Sequence, residues 1–326
     1  MMDRAHNCLL GALLGDALAM PVHWYYDLAR LQKDYGRVKD LLAPQPVHAD
    51  SILWRSTYTA LNERGEILHD QAAYWGRRGV HYHQFLSAGE NTINLQLAVE
   101  LRASLVVLGR YDRDDYLRRY IAFLTTPGRH RDTYLEECHR NFFTAYARGR
   151  KAEDCGSEDI HIGGLAHVPV LAAWFADDEE AALAAVREHV RVTHRGELVE
   201  NAARDFTKML LAILAGGGVR ESIEAHGGGW VGRRKLEQWA ARRDSEVIGR
   251  ILSPACYLQD AFPAALYLAW KYADDPESAL IANTNLGGDN CHRGVVVGAL
   301  VGASGAAWPE RWVRGLKARE FLAAAA

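Results

Sequence analysis

The residues with most chemical potential lie near the C-terminus, in the run Asn285-Leu286-Gly287-Gly288-Asp289-Asn290-Cys291-His292-Arg293. Asp289 can ligate a metal, orient a base, or cap the helix that follows. Cys291 beside His292 has the makings of an activated thiolate, because an adjacent cation and a helix N-terminus both lower a thiol pKa. A second carboxylate, Glu90, opens an apolar helical repeat. There it can act as a general acid or base if burial raises its pKa, or it can stabilise the start of its own helix. In an extended His81-Tyr82-His83 run the two imidazoles point the same way, and with Glu90, Asp289 and His292 they can make a site for zinc or another transition metal. Aromatic residues crowd the same regions. Trp24, Tyr25 and Tyr26 stand together, and Trp54, Tyr74, Trp75 and Tyr82 precede Glu90, a supply of rings for stacking on a sugar or heterocycle or for covering the core.

Helices must position these groups. Ile93, Leu97, Leu101 and Leu105 fall on one helical face, and the alanine-rich stretches Ala182–Val192 and Ala202–Leu214 repeat the pattern. Strand signals are nearly absent. Residues 40–90, with Pro44 and Pro46, and residues 215–232, with two triple glycines, read as loops between helices. No stretch reads as a flexible linker, so residues 1–326 are taken as a single all-α domain. Glycine at every fourth position, Gly294, Gly298 and Gly302, leaves a bare stripe where another backbone can approach, and Gly11 to Gly15 near the start echoes it.

The bulk numbers exclude several classes. With 38 basic and 41 acidic residues the net charge is −3, which gives no electrostatic reason for nucleic acid or an anionic membrane. No apolar run is read as long enough to span a bilayer. The five cysteines are scattered without CxxC spacing, which points to reduced thiols and a cytoplasmic protein.

Four ordered landmarks resemble the ADP-ribosylglycohydrolase family: Gly15-Asp16-Ala17-Leu18-Ala19, Gly89-Glu90-Asn91-Thr92, Thr193-His194 and Gly287-Gly288-Asp289-Asn290-Cys291-His292. The resemblance covers nearly the whole chain. It implies an orthogonal helical bundle in which the Gly89–Thr92 and Asp289–His292 turns meet at one cleft. In the family, the second and fourth landmarks hold two magnesium ions. Here they keep a carboxylate only at Glu90 and Asp289; Asn91 is neutral, Cys291 and His292 are softer ligands, and His23 stands where the family has a catalytic glutamate. A binuclear magnesium site is therefore not expected; at most one metal is, and Glu90, Asp289 and His292 are its candidate ligands, with the imidazole favouring a softer ion.

The reading that results is a hydrolase cleaving a ribosyl-type or related C–N or C–O bond in a small molecule. Its catalytic residues are His23, Glu90 and Asp289. Asp16, Trp24, Tyr25, His83, Asn91, Cys291 and His292 line the substrate. Two alternatives stay open: magnesium-dependent removal of ADP-ribose from protein or nucleotide, and a non-catalytic protein that keeps only the fold, as crystallin relatives do. Substrate and oligomeric state are left open.

Overall fold

A computed structural model describes residues 4–323. The chain is built almost wholly of helices. Its only paired strands among the described residues are Ser157–Glu158 and His194–Arg195, two residues each and parallel.

Two helices form the axis, Arg4–Ala19 and Asn290–Gly302, and both are buried along nearly their whole length. Glycine decides how closely they approach. A Cβ on Gly15 would stand 2.1 Å from the Gly294 carbonyl oxygen, one on Gly298 2.0 Å from that of Gly11, and one on Gly302 2.3 Å from that of Asn7. The two bare stripes therefore face each other, backbone on backbone. The Arg4–Val22 segment spans 19 residues at mean hydropathy 1.2, long and apolar enough by composition to cross a membrane. This corrects the reading that no run reaches that length. The structure packs 89% of it inside the protein, as the core helix that the glycine stripe demands.

Around this pair lie Ile93–Leu108, Glu137–Ala147, Val168–Trp174, Glu197–Leu214 and Leu258–Lys271, each with its apolar face inward. Residues 40–90 contain only short 3-10 turns, at Leu53–Arg55, Glu63–Gly65 and His69–Tyr74. The 215–232 stretch differs from expectation, because Val219–His226 is a helix that buries Val219, Ser222 and Ile223. Its flanking glycines serve as caps, with Gly218 at the N-terminus and Gly227 at the C-terminus, rather than as a continuous loop.

Candidate functional site

The site begins where two chain segments lock together. After the N-terminal helix the chain turns through Met20–Val22 into His23, and Trp24 takes a left-handed conformation (φ 60°). Trp24 N–H donates to Gly288 O at 2.8 Å, and Gly288 N–H donates to Tyr25 O at 2.7 Å. This close pairing requires glycine. Gly287 and Gly288 have φ of 59° and 63°, and a Cβ on either would fall 2.0–2.1 Å from the carbonyl oxygen of Tyr25 or Pro254. The lock presses His23 against Asp289, with His23 Nε2 3.1 Å from Asp289 Oδ1.

Asp289 serves two histidines. It caps the Asn290–Gly302 helix by accepting from His292 N–H, and its oxygens lie 2.9 and 3.1 Å from His292 Nδ1. The far side of each ring is braced. His292 Nε2 stands 2.9 Å from Glu136 Oε1 and 2.8 Å from the Asn94 amide. His23 Nδ1 meets His83 Nε2 at 2.7 Å, and His83 Nδ1 meets Asp132 Oδ1 at 2.6 Å. His23, Asp289 and His292 are each at most 2% exposed.

Burial and pairing drive these groups apart electrostatically. Burial pushes His23 down to about 4, against the pull of Asp289. Burial also opposes charge on His292, but Asp289 and Glu136 on either side raise it well above the usual imidazole range. In turn, despite burial, His292 holds Asp289 well below the usual carboxylate range and Glu136 down to about 2. The cluster thus sets two imidazoles against one carboxylate, burial lowering the pKa of one and the flanking carboxylates raising that of the other.

The remaining candidates fall in other places. Glu90 is not brought to the cluster: it pairs with Arg131 at 2.5 Å and lines a surface cavity of about 290 Å³ with Arg129 and Lys317. Asp16 is fully buried and spent on structure, accepting from Asn91 Nδ2, Thr92 N–H and Thr92 Oγ1 at 2.7–2.8 Å, which anchors the start of the Ile93–Leu108 helix. Cys291 is also fully buried, beside Ala19, Met20 and Leu86, and burial raises its thiol well above the ordinary value. Tyr25 is turned inward, its ring on His48 and its hydroxyl on Asp34. Trp24 stacks on His23 at 4.0 Å and meets Tyr82 and Tyr134 edge to face. His83 joins the cluster, one step behind His23, whereas His81 is held by backbone, its Nε2 donating to Pro21 O at 3.0 Å and its Nδ1 accepting His83 N–H at 3.0 Å. Asn94, Asp132 and Glu136 escaped the sequence reading because they carry no motif. Asp132 and Glu136 sit in the irregular stretch between two helices, where nothing in their spacing marks a site.

The ADP-ribosylglycohydrolase family description matches residues 1–326, the full length of the chain. The chain belongs to the ADP-ribosylglycohydrolase family. An uncharacterized protein of Archaeoglobus fulgidus is 26% identical over 342 aligned positions, covering 99% of this chain and 94% of that one. A solved structure titled ADP-ribosylglycohydrolase-related protein complex shares the fold, with a TM-score of 0.66 and 21% identity over 99% of this chain and 95% of its own. Membership places this ADP-ribosylglycohydrolase relative in a usually hydrolytic family.

The magnesium pair that the motif implies does not fit these side chains. Magnesium takes hard oxygen ligands in octahedral geometry. Here Thr92 and the Asn91 amide nitrogen are committed to Asp16, Cys291 Sγ approaches Asp16 O at 3.7 Å, and the neighbours of Asp289 are imidazoles rather than carboxylates.

Proposed function

We propose that the chain is a hydrolase that cleaves a ribosyl-type or related C–N or C–O bond in a small molecule, with His23, Asp289 and His292 as its reacting groups. One observation carries the reading: two imidazoles from opposite ends of the chain converge on one buried carboxylate, each braced from behind. Cleavage at an anomeric carbon passes through an oxocarbenium-like state, which needs a proton for the leaving group and a base for water. His292, held charged, can give the proton. Asp289 can take one from water, and His23 behind it can carry it on toward His83 and Asp132. Tyr26, 40% exposed on the segment that follows His23 and Trp24, offers a ring face for stacking. Five unpaired cysteines agree with a reducing cytoplasm, where we place the protein.

The test is a hydrolysis screen over nucleosides and ribosylated metabolites, led by compounds that raise the melting temperature. His23→Gln and Asp289→Asn should each lower turnover by about 100-fold or more, the usual scale for a lost acid–base group. Full turnover in both variants would move the site elsewhere. Magnesium-dependent release of ADP-ribose from a protein would replace this substrate class with that of the family name.

A further inference from the structure

We infer that His23 Nε2, Asp289 and His292 Nδ1 form a site for one divalent cation of the zinc class, in place of the magnesium pair for which the motif is named. The inference takes the same side chains as the proposed hydrolytic centre, with the ion in place of the proton on His292 Nδ1, which binding releases, and it is read by ion uptake rather than by turnover.

Two observations lead there. The first is convergence: three donor atoms, two nitrogens and one carboxylate oxygen, lie within 4.8 Å of one another, all on buried side chains. Asp289 Oδ1 is 3.1 Å from His23 Nε2 and 2.9 Å from His292 Nδ1. Donors bound tetrahedrally at the usual zinc distances stand about 3.3 Å apart, so Asp289 needs little movement to share an ion with either ring. Nitrogen donors favour zinc-class ions over magnesium.

The second is the outer ring of partners. Histidines that bind a metal through one nitrogen commonly give the other to a carboxylate or a relay ending in one. His292 does so directly, through Nε2 to Glu136 Oε1 at 2.9 Å. His23 does so through His83, which reaches Asp132 at 2.6 Å.

The full-length protein is stripped with a chelator and titrated with Zn²⁺ and with Mg²⁺ by calorimetry, and with Co²⁺ by visible absorption. One equivalent of Zn²⁺ should bind at least about 100-fold more tightly than Mg²⁺, and Co²⁺ should develop ligand-field bands of a low-coordinate site. His23→Gln and His292→Gln should abolish that equivalent. Glu136→Gln, which removes only the brace, should weaken it about 10–100-fold. No Zn²⁺ uptake, or a stoichiometry unchanged in both histidine variants, overturns the site. Should the histidine variants fail to fold, the wild-type Co²⁺ spectrum and Glu136→Gln decide: absence of bands, or unaltered affinity in Glu136→Gln, overturns it. Chelated protein that hydrolyses substrate and takes up no ion overturns this inference alone. Protein that binds one Zn²⁺ and hydrolyses nothing overturns only the proposed function.

Discussion

Asp132 holds His83 by one carboxylate oxygen and the start of a helix by the other: Oδ1 is 2.6 Å from His83 Nδ1, and Oδ2 accepts Ile93 N–H at 3.0 Å. The Ile93–Leu108 helix has no side-chain cap of its own from Thr92, so a residue 39 positions away supplies one. The orientation of His23 through His83 is thereby tied to the placement of that helix.

Asp132→Asn should consequently lower both activity and stability. The amide cannot accept in both directions, and a buried group left unpaired costs about 1–3 kcal/mol. Denaturant unfolding should show a loss on that scale, and turnover should fall at least about tenfold. Wild-type values in both measurements would show that the relay is not needed.

The contact of the two axial helices leaves no room for a methyl group. Gly15→Ala or Gly298→Ala would place Cβ 2.0–2.1 Å from a carbonyl oxygen of the opposite helix. Backbone must separate to relieve this, so each change should cost about 3 kcal/mol or more, at the upper end of overpacking effects. Gly229→Ala is the control, since nothing lies within 4 Å of its Cβ position. Urea midpoints of the three variants check the difference.

The pair Asp159–His161 predicts a pH dependence of stability. The His161 Nδ1 to Asp159 Oδ1 distance is 2.8 Å. Burial works against both charges, yet Asp159 and the Cys256 thiol hold His161 up to about 11, and His161 holds Asp159 down to about 2. A raised imidazole stabilises the fold fully below its unfolded pKa of ~6.5 and loses that contribution as pH climbs toward the folded value. A depressed carboxyl contributes above ~3.9 and loses it as pH falls toward its folded value. Asp159→Asn should therefore cost most between about pH 4 and 6.5 and progressively less at higher pH. Thermal melts across that range measure it, and a penalty that grows above pH 8 would contradict the assignment.

Thiol chemistry should single out Cys256. It is the half-buried cysteine, while Cys8, Cys138, Cys155 and Cys291 are buried. Iodoacetamide on the native protein should modify Cys256 first, with Cys291 reacting only on unfolding. Peptide mass analysis over a time course gives the order, and early labelling of Cys291 would show that its pocket opens.

Much of the architecture was legible from sequence because its causes are local. Helical spacing of Ile93, Leu97 and Leu101 needs only neighbouring residues, and the glycine stripe at Gly294, Gly298 and Gly302 announces a close approach whatever its partner. Asp289 and His292 were legible for the same reason, lying three residues apart on one helix start. What approaches that start was not legible from spacing: the resemblance named His23 for the site, but not its contact with Asp289. His23 lies 266 residues from Asp289, 60 from His83, and His83 another 49 from Asp132. Glu90 and Asp289 both follow from the motif, but only the tertiary structure turned Glu90 outward to Arg131 and put His23 beside Asp289. Side-chain direction at the end of a loop depends on which backbone it docks against, here Trp24–Tyr25 against Gly287–Gly288. Such docking is decided by packing over the whole chain and leaves no periodic trace in the sequence.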